Sequence, residues 1–214
     1  KPRMIEMGDT NEIEGYVTDV VTDISLKQLK NRNQNKPFCL MYHQKAPHRN
    51  WMPNIKHLDL YKNDTLPLPD NFYDDYKNRG SAAKEQDMEI KNMYMSFDMK
   101  LDPNTFVDST ETGTGGSKTW DAVYDWNYSY NQMSEEQKKE WDKHYQPISK
   151  AFYESSYSDS AFAEWKYQRY IKDYLRCIVS VDENLGRMIE YLKSTGEWDN
   201  TLVIYTSDQG FFLG

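Results

Sequence analysis

The stretch VDENLGRMIEYLKSTGEWDNTLVIYTSDQG, residues 181–210, contains the end of a long helix, a turn and a strand. Apolar residues recur at helical spacing over residues 159–194, and no proline interrupts them. Gly196 is typical of the residue that follows a helix, and we expect Gly186, inside the helix, to pack closely against a sheet. Residues 201–206 form a short apolar run, which predicts a strand buried on both faces.

A second helix and strand are predicted near the start of the chain. Residues 15–34 have the spacing of an amphipathic helix, and residues 37–42, Pro-Phe-Cys-Leu-Met-Tyr, form another apolar run typical of a buried strand. Strands that alternate with long helices indicate an α/β fold with a mostly parallel sheet. Ser134 and Gln137 fit a capping box, and we expect the helix that begins there to end before Pro147.

Composition excludes several classes of protein. The 214 residues carry a net charge of −8 without a block of Lys and Arg, so we expect no nucleic-acid partner. No run approaches the ~18 apolar residues of a membrane span, and no signal peptide is visible. Cys39 and Cys177 both lie in apolar patterns and are expected to be buried thiols rather than a disulfide framework or a zinc site.

The middle of the chain differs from its ends. Proline and glycine break any periodicity over residues 58–133, and aromatic residues are plentiful throughout residues 58–168. We interpret 58–168 as a loop-rich aromatic insertion that recognises a sugar substrate. Packing of amphipathic rings at the surface explains the same residues equally well.

Polar side chains follow each predicted strand. The first strand is followed by cations that suit a sulfate, phosphate or carboxylate, namely His43, Lys45, His48 and Arg49. The second is followed by Asp208 and Gln209, whose oxygens suit Ca²⁺ or Mg²⁺. A solvated loop and an aspartate that caps a helix are the simpler alternatives. Because ligands bind where parallel strands end, the two loops together indicate metal-assisted hydrolysis of a sulfate or phosphate ester.

Four segments resemble the type I sulfatases of the alkaline-phosphatase superfamily. They match the family patterns KPFFLY, APH, VDxxVG and NTLVIFTSDxG, and read KPFCLMY at 36–42, APH at 46–48, VDENLG at 181–186 and NTLVIYTSDQG at 200–210. Order and spacing agree over residues 15–57 and 165–214. The resemblance implies an alkaline-phosphatase-like, mostly parallel sheet flanked by helices.

The resemblance also implies roles for individual residues. His48 matches the histidine that contacts the sulfate ester and protonates the leaving alcohol, and Asp208 matches a ligand of Ca²⁺, with Mg²⁺ the less favoured ion. Gln209 matches the next metal ligand, which is more often Asn or His in the family. Asp182, in the middle of the long helix, is interpreted as structural. Substrate contacts are expected at Lys45, His43, Arg49 and Trp51.

The chain departs from the family pattern at the nucleophile. It contains no Cys/Ser-x-Pro-x-Arg motif, from which the family makes its formylglycine, and no Asp-Asp metal pair before such a motif. We therefore expect residues 1–214 to be the central part of a sulfatase catalytic domain, inactive alone, with the formylglycine segment and a C-terminal subdomain outside it. The resemblance implies removal of sulfate from a sulfated sugar, foremost N-acetylglucosamine-6-sulfate, by a periplasmic or secreted bacterial enzyme.

Two other functions stay open. A phosphodiesterase or phosphonate hydrolase of the same superfamily needs more Asp and His ligands and a Thr, Ser or Cys nucleophile, whereas the chain has four histidines. A non-catalytic glycan-binding relative would keep the fold and lack the nucleophile. A scaffold role would leave the polar loops unexplained.

Overall fold

The computed structural model describes residues 2–106, 110–111, 120–211 and 213. Its helices are α1 (Val17–Asn31), α2 (Ser81–Glu85), α3 (Pro103–Phe106), α4 (Ala122–Tyr130), α5 (Glu135–Tyr153) and α6 (Asp159–Ser194). Two antiparallel pairs, β1 (Arg3–Glu6) with β2 (Asp9–Glu12) and β3 (Thr110–Glu111) with β4 (Trp120–Asp121), are the described strands. Single 3₁₀ turns lie at Ile55–His57, Ile90–Asn92 and Trp198–Asn200.

Helix α6 organises the fold, and its bounds confirm the predicted range. The Ser158 hydroxyl accepts a hydrogen bond from the Ala161 amide at 3.4 Å, which caps the N-terminus. Gly196 has a φ of +72° after the last turn, the left-handed conformation that glycine adopts readily. The prediction for Gly186 is wrong, because a Cβ built there meets no atom within 4 Å. No strand of the described residues packs against that side of α6.

Helix α1 packs against α6 through the part-buried carboxylate of Asp19. Asp19 accepts hydrogen bonds from Asn184 Nδ2 at 2.6 Å and from Asn54 Nδ2 at 2.9 Å. The Tyr16 hydroxyl donates to the carbonyl oxygen of Met52 at 2.9 Å. We call residues 43–49 the cationic loop. These bonds tie the chain just after it to both helices, so the end of that loop has a fixed position.

The two predicted buried strands are extended but unpaired. Residues 37–42 and 201–206 have no ladder hydrogen bonds to any described residue. Leu202 and Ile204 are 87% and 77% exposed, and Cys39 is exposed, so its prediction as a buried thiol is wrong. A parallel strand is defined by its neighbours across the sheet, and the described residues supply none for either segment.

The described residues form two hydrophobic cores, and Ile148 packs against both. The larger one surrounds Trp51, Met99 and Tyr170, and the smaller one contains Leu58, Trp126, Trp141 and Tyr145. Cys177 is buried in the larger core, as predicted, and burial raises the pKa of its thiol to about 12. None of the described helices is long and apolar enough to cross a membrane.

Helix α5 confirms one prediction and contradicts another. The capping box forms in both directions, with the Gln137 amide donating to Ser134 Oγ at 3.2 Å and the Ser134 amide donating to Gln137 Oε1 at 2.9 Å. The helix does not end before Pro147 but continues to Tyr153. Pro147 and Lys143 are exposed, so water can hydrate the Lys143 carbonyl that loses its amide donor.

Candidate active site

The cationic loop begins as a tight turn. The His48 amide donates to the carbonyl oxygen of Lys45 at 2.9 Å, and the side chains of His43, Lys45 and His48 are all exposed. The His48 Nδ1 atom is hydrogen-bonded to the carbonyl oxygen of Arg49. Since a carbonyl only accepts, Nδ1 carries the hydrogen in this pair. Nε2 is therefore the ring atom that can exchange a proton with a ligand.

Arg49 is held by a buried carboxylate. Its Nε donates to Asp98 Oδ1 at 2.7 Å, and a second guanidinium nitrogen contacts Asp98 Oδ2. The Asp98 side chain is fully buried and also accepts from the Tyr94 amide at 2.8 Å. The Arg49 guanidinium lies 5.3 Å from the Tyr94 ring centroid and 5.7 Å from that of Phe97. A two-point ion pair between aromatic rings fixes the direction of the guanidinium.

A buried network continues from Asp98 into α6. Lys100 donates to the Asp98 carbonyl at 3.0 Å and lies 3.2 Å from the Asp173 carboxylate. Asp173 also accepts from Arg176 at 2.7 Å and from the Tyr145 hydroxyl at 3.0 Å. Burial raises the pKa of Asp173, but the charges of Lys100, Arg169 and Arg176 outweigh it and lower the pKa to about 2. The carboxylate is thus ionised and anchors the loop to α6.

Trp51 is not placed to contact a substrate, which corrects our expectation. Its side chain has no exposed surface, and its ring centroid lies 5.2 Å from that of Tyr170. The large apolar area of an indole favours burial. Trp51 therefore anchors the end of the cationic loop in the larger core. His43, Lys45 and His48 lie at the surface.

The second loop, residues 207–210, carries side-chain oxygens at the surface. Asp208 and Gln209 are both exposed, and within the described chain Asp208 forms no ion pair. The Ser207 hydroxyl donates to the Gln209 carbonyl oxygen, which closes a tight turn. One carboxylate and one amide oxygen fit a hard cation, although Ca²⁺ takes about 6–8 oxygens and needs further ligands. Among the described residues no group of three His, Cys, Asp or Glu side chains is arranged for a metal.

One residue just after each loop packs in or against the larger core. Phe211, just after the second loop, packs edge-to-face on Trp51 with ring centroids 5.1 Å apart. Phe211 also lies 6.3 Å from the Tyr170 ring of α6. The structure thus brings the residues that follow the two loops together over one face of α6.

The sequence predicted the two loops but not the buried charged residues that hold the first of them. Asp98, Lys100 and Asp173 were missed, although each is almost completely buried. The only available signal was the run MSFDMKLD at residues 95–102, which places a charged residue at every second position from Asp98 onward. No sequence pattern pairs that run with Arg49 or with Asp173.

Comparison with known proteins identifies the family of this chain. The Sulfatase family profile matches residues 3–214. The chain belongs to the sulfatase family. It is 44% identical over 202 residues to an N-acetylglucosamine-6-O-sulfatase of Bacteroides thetaiotaomicron, covering 94% of this chain. Over 41 residues it is 51% identical to a multifunctional alkaline phosphatase superfamily protein of Trinickia caryophylli, which covers 19% of this chain and 8% of that protein.

A solved structure confirms the fold class. This sulfatase chain superposes with a TM-score of 0.84 and 41% identity on a protein in complex with its substrate, D-glucosamine-2-N,6-O-disulfate, over 97% of this chain. The fold class is therefore the α/β class that we predicted, and the described residues form two short antiparallel strand pairs of their own. The chain spans 34% of the length of the Bacteroides relative and 40% of the solved chain. It therefore corresponds to less than half of the length of each of these proteins.

Proposed function

We propose that the protein containing this sulfatase chain hydrolyses sulfate esters of a sulfated sugar, with N-acetylglucosamine-6-sulfate as its first candidate substrate. The observation that carries the proposal is the packing of Phe211 on Trp51, which joins a cationic loop to a loop whose oxygens would hold a metal. A sulfate ester needs both, since cations bind its oxygens and a metal offsets charge on the transferring group. The relatives' names agree with this substrate class.

Each loop residue has a proposed role. His48, exposed and with Nδ1 hydrogen-bonded, donates a proton from Nε2 to the leaving alcohol. Arg49, oriented by Asp98, and the exposed Lys45 and His43 contact sulfate oxygens or sugar hydroxyls. Asp208 and Gln209 would hold Ca²⁺, with Mg²⁺ the less favoured ion. A formylglycine outside this chain would supply the nucleophile, in keeping with the family.

The organisation of the whole protein is also proposed. Residues 1–214 would form the central part of the catalytic domain, and residues 58–168 its substrate-specificity segment. Export to the periplasm or the exterior, where sulfated glycans occur, would match this substrate class.

The test is an assay of the complete protein on paired substrates. N-Acetylglucosamine-6-sulfate, the 3-sulfated isomer and a phosphodiester with the same leaving alcohol are compared at equal concentration. We expect hydrolysis of the 6-sulfate, followed for every substrate as release of the alcohol, to be at least about a hundredfold faster than that of the other two, which corresponds to ~3 kcal/mol of discrimination. Hydrolysis of the phosphodiester alone would overturn the proposal.

A phosphoesterase is the second candidate function. The similarity over 41 residues to the alkaline phosphatase superfamily protein favours a phosphoesterase. The Sulfatase profile, however, extends over residues 3–214. A non-catalytic glycan-binding relative would bind the sulfated sugar and release neither sulfate nor phosphate. The same three substrates therefore separate all three functions.

A further inference from the structure

An open groove of about 680 Å³ lies between the β1–β2 hairpin and helix α4. Its volume falls within the about 300–1,000 Å³ typical of small-molecule sites. The hairpin contributes Arg3 and Glu12, and α4 with the turn after it contributes Tyr124, Asn127, Tyr128 and Asn131. None of these residues belongs to the candidate active site.

Helix α4 carries aromatic residues on two faces, and only the face with Trp126 packs in the smaller core. Trp126 is buried, with its ring centroid 6.3 Å from that of Trp141 and 5.9 Å from that of Tyr130. On the groove side, Tyr124 and Tyr128 remain 64% and 63% exposed. Their rings are nearly parallel, with an interplanar angle of 23° and centroids 6.3 Å apart. The hydrophobic core does not bury Tyr124 and Tyr128, so core packing does not explain why aromatic residues occupy these two positions.

The chemistry of the groove matches sugar rings. A tyrosine presents an apolar face and a polar hydroxyl, so a near-parallel pair can cover the CH face of a pyranose and still hydrogen-bond. The amides of Asn127 and Asn131 offer both donors and acceptors, which suit hydroxyl and N-acetyl groups. Arg3 and Glu12 lie opposite one another in the hairpin register, so their charges offset. A neutral polar ligand fits this lining better than an ion does.

We propose that this groove is a second carbohydrate-binding site, which holds neutral sugar rings of a glycan chain apart from the sulfate that reacts. The inference goes beyond the proposed function, because binding of unsulfated rings needs neither a nucleophile nor a metal. Its ligand is recognised by ring stacking and amide hydrogen bonds rather than by charge.

The test is calorimetric titration of the complete protein with an unsulfated N-acetylglucosamine hexasaccharide. Replacement of both rings (Tyr124→Ala with Tyr128→Ala) is expected to weaken binding about tenfold or more, since each stacked ring contributes a contact. Tyr124→Phe with Tyr128→Phe keeps the rings and should retain most of the affinity. Tyr73→Ala removes a similarly exposed ring outside the groove and should leave affinity unchanged.

Two results would overturn the groove as a carbohydrate site. One is failure of the unaltered protein to bind the hexasaccharide at millimolar concentration. The other is equal affinity in the double alanine variant, above all if that variant unfolds at a lower temperature, since the tyrosines would then pack against another part of the protein. Because the probe carries no sulfate ester, neither result depends on whether the protein is a sulfatase.

Discussion

The indole of Trp51 and the ring of Phe211 meet edge-to-face, at an interplanar angle of 68° and a centroid distance of 5.1 Å. Edge-to-face pairs are favoured because the positive ring edge meets the negative ring face. His48 lies three residues before Trp51, and Asp208 lies three residues before Phe211. This aromatic contact therefore fixes the chain at one end of each polar loop.

Replacing His48 with Ala should lower sulfate-ester turnover of the complete protein by about 10²–10⁴-fold, the usual contribution of a general acid. The side chain is exposed, so the unfolding temperature should change little. Turnover is measured as sulfate release at saturating substrate, and unfolding by circular dichroism. Turnover within a fewfold of the unaltered protein would remove His48 from the mechanism.

Replacing Asp208 with Ala should abolish saturable Ca²⁺ binding by the complete protein, because a carboxylate is a strong ligand for this cation. Binding is followed by calorimetric titration of protein stripped of metal with a chelator. Asp182→Ala is the matched control, since Asp182 is an exposed aspartate in the middle of α6. Identical Ca²⁺ affinities in the two variants would refute Asp208 as a ligand.

Local features of the chain could be predicted from the sequence, and contacts distant along the chain could not. The caps and apolar period of α6 lie within its own residues, so its range followed directly from them. Arg49 and Asp98 are 49 residues apart, and no local pattern joins them. The resemblance placed Trp51 among the substrate contacts, whereas the large apolar area of its side chain favours burial. Residues 201–206 have a strand's composition, but pairing depends on other segments.

Replacing Asp98 with Asn should weaken substrate binding through Arg49 rather than remove a reacting group. The neutral amide cannot accept both guanidinium bonds, so Arg49 loses its fixed direction. We expect KM for the sulfate ester to rise about tenfold with a smaller change in kcat, and the free energy of unfolding to fall by about 1–3 kcal/mol.

Asp102→Asn separates this positioning role from general destabilisation. Asp102 is also buried and accepts from Gln146 Nε2 at 2.6 Å, so its loss should destabilise the fold to a similar degree. No hydrogen bond or ion pair described for Asp102 involves Arg49, so KM should stay unchanged. Equal changes of KM in both variants would mean that Asp98 acts only through stability.

His144 should make stability depend on pH between about 4 and 6.5. Burial, and next the positive charge of Arg176 at 3.4 Å, lower its pKa from 6.5 to about 4. Because the unfolded chain binds this proton at higher pH than the folded chain, the free energy of unfolding is highest above pH 6.5. It falls as the pH drops towards 4, by about 1–2 kcal/mol for a partly exposed group.

The measurement is urea unfolding of the complete protein at pH 7, 6, 5 and 4.5, beside a His144→Gln variant. Glutamine does not titrate, yet its oxygen can still accept from Arg176, so this variant should show a smaller loss over the same range. Asp173, whose pKa is lowered to about 2, adds most of its own loss below pH 3.8, outside the range measured. Equal pH dependence in the two proteins would mean that His144 titrates in the folded chain as it does when unfolded.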